Sequence, residues 1–298
     1  MDREAVRRGS RERDRADLPG QRRRNLRNQA LTLADITEQF RLDGKVALVT
    51  GAGKGIGKGI AVAFAKAGAD VALVARTKDD LEAVANEVRA MGRNAAVISA
   101  DVTEIEGLED VVDQSVRSLG GLDILVNNAG GVEQLGTYAG MTVAILESAF
   151  RFNVSAPFEL GRHALPHMLA RGGGAIVNIG SMSGAQNARG LLPYSLAKSA
   201  LGKLTQLAAI EVAPRIRVNA ILPGCVETEA LRGFMDAMPD VRETLHQKTP
   251  MRRNGTTGDI AAAALFFASP ASSWITGKLL EVDGAAPAGL FPSNSPDL

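Results

Sequence analysis

Short apolar runs alternate with longer amphipathic stretches from residue 45 to residue 282. The runs 46–49, 71–74, 95–99, 124–126 and 175–179 are almost continuously apolar, and 216–221 and 278–282 carry two polar residues each. A strand with water on one face would alternate instead, so these read as strands covered on both faces, as in a parallel sheet. Between them, apolar residues recur at helical spacing over 55–67, 78–91, 104–119, 142–170, 193–212 and 259–268. Pro157 and Pro166 must kink or bound the longest stretch, because a proline has no N–H to offer the preceding turn. The alternation predicts one α/β domain over 41–285, with helices on both faces of the sheet. Residues 286–298 read as a tail. No internal repeat or low-complexity block interrupts the pattern.

Composition narrows the function classes. The 298 residues are 45% hydrophobic and 22% charged, enough for a full core. The net charge of +1 gives the molecule no general pull on nucleic acid or anionic lipid. No apolar run approaches the roughly 18 residues that span a bilayer, and the first thirty lack the apolar stretch of a secretory signal. With one cysteine, Cys225, no disulfide can form within the chain, which fits a reducing compartment. The expectation is a soluble, cytoplasmic protein. Residues 1–40 differ from the rest: they carry ten Arg and seven acids, leaving 24 basic and 26 acidic residues beyond them. They read as a disordered or loosely docked arm, with a short helix over 31–40; the interspersed acids and missing aromatics disfavour a nucleic-acid tail.

Two clusters carry chemistry. The first follows the first strand and opens the first helix: Thr50, Gly51, Ala52, Gly53, Lys54, Gly55, Ile56 and Gly57. Gly51 permits a tight turn, and Gly55 and Gly57 let backbone and helix approach a ligand closely. The helix start offers unpaired N–H groups and a partial positive charge to a diphosphate. The second cluster is Tyr194 and Lys198, four residues apart, with Ser181 thirteen residues before Tyr194. A free phenol, with a pKa of about 10, is a poor base at neutral pH. A lysine one helical turn on lies on the same face, where its charge favours the phenolate. Tyr194 is therefore the candidate general acid/base, with Ser181 holding the substrate oxygen by hydrogen bond.

These motifs stand in register with others: Asn127, Asn128, Ala129 and Gly130 after the fourth strand, then Asn153, then Pro223 and Gly224 with Thr228. In order and spacing the set resembles the short-chain dehydrogenase/reductase family over residues 41–285. The resemblance implies a Rossmann-like, doubly wound parallel sheet of about seven strands and an NAD(P)-linked oxidoreductase interconverting a secondary alcohol and a ketone. It implies that Lys198 also bonds the nicotinamide ribose, that Asn153 positions a water serving Lys198, and that Val226 and Thr228 meet the nicotinamide carboxamide. It gives Asp101 and Val102 an adenine contact, although Asp101 also suits a helix cap. It further implies a homotetramer or homodimer packed through the helices at 142–170 and 193–212.

Cofactor choice turns on the end of the second strand. An acid there would bond both ribose hydroxyls and repel a 2′-phosphate. Ala75 and Arg76 stand in that place, with Lys54 nearby, so NADP(H) is favoured over NAD(H). Arg76 on a solvated helix start is the plain alternative. His163 and His167 have metal-ligand spacing, but no acid lies between them and no third ligand is evident, so no metal is expected. Gly131, Val132, Met182, Ser183, Leu191, Leu192, Cys225 and the stretch 229–251 are the expected pocket lining. Leu231, Phe234, Met235 and Met238 within that stretch suggest an apolar lid and an apolar alcohol or ketone. Sugars and polyols stay open, as does a nucleotide-sensing protein without turnover.

Overall fold

The computed structural model describes residues 33–187, 189–229, 231–232 and 239–288. Most of the Arg-rich arm, most of the tail, and Phe234, Met235 and Met238 lie outside the described residues. The chain divides into two units between Glu38 and Gln39. In the first, Leu33–Glu38 form a short helix, α1, inside the segment expected to be helical.

The second unit is built on seven strands: β1 Val46–Thr50, β2 Asp70–Ala75, β3 Ala95–Ser99, β4 Ile124–Asn127, β5 Gly174–Ile179, β6 Ile216–Pro223 and β7 Leu279–Val282. All pair in parallel, in the order β3-β2-β1-β4-β5-β6-β7. Each apolar run serves both faces, because successive side chains of a strand point to opposite sides. Ala47 and Val49 of β1, with Val71 and Leu73 of β2, join one core with Ile60, Phe64, Leu81, Val84, Ile260 and Phe267. Leu48 of β1 and Ala72 and Val74 of β2 join the opposite core with Leu108, Val112, Leu160, Ala164 and Met168. Burying a side chain of Leu or Phe size stabilises by roughly 1.5–3 kcal/mol, so both helical layers are held chiefly by these contacts.

The first layer comprises α2 Gly55–Lys66, α3 Lys78–Ala90 and a late helix, Thr257–Ala268. The second comprises α4 Leu108–Leu119, α6 Ala156–Ala170 and α7 Leu192–Val212, with α5 Val143–Phe150 leading into α6. The long stretch 142–170 is divided as its prolines require. A π-helical turn, Arg151–Ser155, separates α5 from α6, and Pro157 sits in the first turn of α6. Pro166 is accommodated inside α6. Pro239–Lys248 form a helix, α8, within the segment expected to be a lid, and Thr257–Ala268 are therefore α9. Only Leu245 of α8 is wholly buried among the side chains described there, so the hydrophobic pattern carried too weak a signal for that helix.

Strand order reverses at β1. The chain winds outward to β2 and β3, then crosses back to place β4 on the other side of β1. Loops leaving β1 and β4 therefore diverge and leave a crevice at the carboxyl edge of the sheet.

Candidate active site

Thr50 locks the two sides of this crevice together. Its buried hydroxyl donates to the Val126 carbonyl at 3.3 Å and accepts from the Asn128 and Ala129 N–H groups at 3.0 and 2.9 Å. Asn128 returns the tie, donating through Nδ2 to the Thr50 carbonyl at 2.8 Å. Gly51 turns the chain in the left-handed region, φ 63°, and a Cβ on Gly57 would stand 2.2 Å from the Gly51 carbonyl oxygen. The turn thus tolerates no side chain where α2 begins.

A crevice of about 390 Å³ follows, lined by Gly51, Gly53, Lys54, Arg76, Asp101, Val102, Asn128, Ala129 and Gly130. Among the described residues the backbone N–H groups of Gly53 and Lys54 meet no acceptor, and the first turn of α2 adds its own unpaired donors. A dinucleotide diphosphate fits this donor set. Both cations hold acids: Lys54 Nζ is 3.0 Å from Asp80 Oδ2, and Arg76 Nη1 is 3.7 Å from Asp101 Oδ2. Asp101 Oδ1 accepts from the Thr103 N–H and hydroxyl at 2.9 and 2.8 Å, which holds its carboxyl below the usual range. It braces the turn before α4 rather than capping that helix. Asp80, Glu133 and Phe152 also line the crevice. They are absent from the residues singled out by motif; for Asp80 the signal was its place in the first turn of α3, facing the strand ends.

Gly130 joins the crevice to the second cluster. A Cβ there would lie 2.8 Å from Asn153 Oδ1 and 2.9 Å from Lys198 Nζ. Lys198 is buried and donates to the Ile179 carbonyl at 2.9 Å, with its Nζ 5.8 Å from the centre of the Tyr194 ring. Burial pulls its pKa down to about 8. Ser181 caps the turn after β5, accepting from the Ser183 N–H at 3.1 Å, and its side chain hydrogen-bonds Tyr194.

Two expectations change. Burial raises the Tyr194 pKa above its ordinary value and outweighs the Ser181 hydrogen bond. The lysine beside the ring does not reverse that shift, because its ammonium is itself desolvated and turned to a carbonyl. Asn153, wholly buried, spends its side chain on the neighbouring backbone: Oδ1 accepts from Gly131 N–H at 3.0 Å, and Nδ2 donates to the Gly131 and Ala149 carbonyls at 3.1 and 3.0 Å. With both Nδ2 protons taken, the side chain has no donor left for a water.

The remaining candidates frame the site. Thr228 packs on the Gly turn, its Cγ2 3.2 Å from where a Cβ on Gly55 would sit, while Ile56 supports the start of α2 from the core beside it. Pro223 ends β6, Gly224 donates to the Val282 carbonyl at 3.0 Å, and Val226 is buried. Asn127 is a strut, donating to Asn178 Oδ1 at 2.8 Å, and Asn178 in turn donates to Thr205. Cys225 packs with Leu231 against Leu245, and burial pushes its thiol up to about 12, so it is inert as a nucleophile. His163 and His167 face acids between α4 and α6: Glu159 at 3.4 Å and Asp113 at 3.3 Å. Among the described residues no helix is long and apolar enough to cross a membrane.

A family model described as enoyl-(acyl carrier protein) reductase matches residues 51–285. An uncharacterized oxidoreductase of Mycobacterium tuberculosis is 47% identical over 250 residues, 84% of this chain and 94% of that protein. The chain belongs to the short-chain dehydrogenase/reductase family. As a short-chain dehydrogenase/reductase it is an oxidoreductase acting on CH–OH groups with a nicotinamide dinucleotide. Among solved members of the family, a 7α-hydroxysteroid dehydrogenase in complex with NADH and 7-oxo glycochenodeoxycholic acid superposes with a TM-score of 0.81 at 38% identity, over 86% of this chain and 99% of that one. A 3-oxoacyl-(acyl-carrier-protein) reductase from Agrobacterium tumefaciens with NADP bound gives 0.79 at 31% identity, over 86% and 98%.

Proposed function

We propose that this chain is an NADP(H)-dependent alcohol dehydrogenase/ketoreductase in which Tyr194 moves the proton. The observation that carries the reading is the meeting of Ser181, Tyr194 and Lys198 beside the Gly130 end of a crevice whose free backbone donors suit a diphosphate. A nicotinamide held in this crevice would supply the hydride for a carbonyl carbon, or take one up from a carbinol carbon. In reduction Tyr194 gives its phenolic proton to the substrate oxygen while Ser181 steadies the developing charge by hydrogen bond. A phenol held neutral by burial is ready for that donation. Lys198, charged below about pH 8, supports the phenolate left behind and passes it a new proton. Asn153 holds the Gly131 backbone and so fixes the wall against which the substrate lies.

The preference for NADP(H) rests on Ala75 and Arg76 at the end of β2. The Arg76–Asp101 pair is long, and its guanidinium is 79% exposed. Such a pair is weak in water and exchanges readily for a bidentate phosphate. The exposed apolar rim of Val132, Leu135 and Tyr138 favours an apolar substrate.

A panel of ketones and alcohols, followed by nicotinamide absorbance with both dinucleotides, tests the reading. Turnover is expected with a higher kcat/KM for NADP(H). Tyr194→Phe should slow it at least about a hundredfold, with dinucleotide affinity nearly unchanged. Parent-rate turnover by the variant would remove the acid/base role. A strong NAD(H) preference would remove the role of Arg76, leaving Asp80 and Asp101 as the groups that favour free ribose hydroxyls.

A further inference from the structure

The end of the sheet opposite the active site carries a second cleft, of about 290 Å³, between the start of β1, the turn before β5 and the start of β6. Lys45, Arg171, Arg215 and Arg217 line it with one carboxylate, Asp123, an excess of three positive charges. Asp123 is turned inward and fully engaged. Its oxygens take the Val46 N–H at 3.0 Å, Lys45 Nζ at 3.2 Å and Arg171 Nη2 at 2.9 Å. Arg217 is spent on the end of α9, donating to the Phe267, Ala268 and Ser269 carbonyls and to Ser272. No acid among the described residues balances it. Three groups keep donors to spare. Among the described residues, Arg171 Nη1 meets no acceptor, Arg215 makes one hydrogen bond, from Nη1 to the Gly172 carbonyl at 3.2 Å, and two protons of Lys45 are unclaimed.

We propose that this cleft is a binding site for a small phosphate dianion, free or as a terminal monoester. Surplus positive charge in a concave, partly desolvated place attracts anions more strongly than the same charge on open surface. Planar guanidinium forks match the oxygens of a phosphate, and Arg171 and Arg215 both keep donors for one. Arg217 raises the local potential without giving up its own bonds, and burial without a counter-charge already pulls its pKa down. The site is distinct from the crevice at the carboxyl edge.

Titration calorimetry on the full chain, saturated with its dinucleotide so that the other phosphate positions are filled, tests this. The probes are inorganic phosphate and glycerol 3-phosphate at ionic strength fixed with NaCl. Saturable binding of one phosphate per chain is expected, weakened at least about tenfold in Arg215→Gln/Lys45→Gln with turnover unchanged. Arg215→Gln alone, a surface change, should move affinity in the same direction. Binding of both probes would identify a monoester site, and binding of phosphate alone a free-anion site. No saturable binding, or affinity unaltered by both variants, would overturn the proposal.

Discussion

Lys198 is a buried cation whose cost is visible as a titration. Its folded pKa of about 8 lies below the ordinary 10.5, so the folded chain surrenders this proton more easily than the unfolded one. The cost is present in full below pH 8. Between pH 8 and 10.5 the unfolded state binds more protons, so this group makes stability rise with pH. Tyr194 works the other way, because its pKa is raised, but only above pH 10. Denaturation of the parent and of Lys198→Met should therefore diverge: from pH 8 to pH 10 the parent gains about 2 kcal/mol relative to the variant. A difference that stays flat would mean that the lysine is not desolvated in this way. Cofactor choice also belongs to single residues. Arg76→Ala should narrow the NADP(H)-to-NAD(H) ratio of kcat/KM about tenfold, the worth of a charge-assisted bond.

At the scale of elements, the active site depends on how strand ends are tied. Thr50→Val keeps the shape of the side chain and removes the acceptor of the Ala129 N–H, while the Asn128 N–H keeps the Val126 carbonyl at 3.1 Å. Leaving that donor unpaired costs about 1–3 kcal/mol, and denaturant unfolding should show a loss of that size. Dinucleotide affinity should fall with it, because the loop carrying Gly130 is the one released. A variant as stable as the parent would show that the tie is dispensable. The π turn before α6 has a comparable local cause. Pro157 has no N–H for the turn behind it, and the helix changes pitch where Asn153 must reach Gly131.

At the scale of the whole molecule, chemistry gathers where strand order reverses. Residues named at the crevice begin at Gly51, and the trio proposed for catalysis follows β5. Every residue named in that set lies beyond the arm, residues 1–38. Deleting those residues should leave turnover with the panel substrates unchanged; its loss would assign the arm a part in catalysis. The two-faced core explains why so much of this order was legible in advance. Each strand had to supply apolar side chains to two helical layers, which leaves a continuous apolar run in the chain. The polar helix α8 escaped because it gives the core little beyond Leu245. The π turn escaped because a proline marks a break without saying which break it will be.

Periodicity, the Gly turn and the spacing of Ser181, Tyr194 and Lys198 determined the sheet, its helices and the kind of chemistry. Those features are local, since a strand covered on both faces, a turn without room for a Cβ and a helical i, i+4 pair are each written in a few adjacent residues. The tertiary structure alone decided how charges are shared. It set Lys54 against Asp80 and Arg76 against Asp101, turned Lys198 to the Ile179 carbonyl, raised the Tyr194 pKa and gathered four cations around Asp123 at the far edge. Burial and charge partners depend on what distant segments bring alongside, and the order of residues along one stretch does not contain that information.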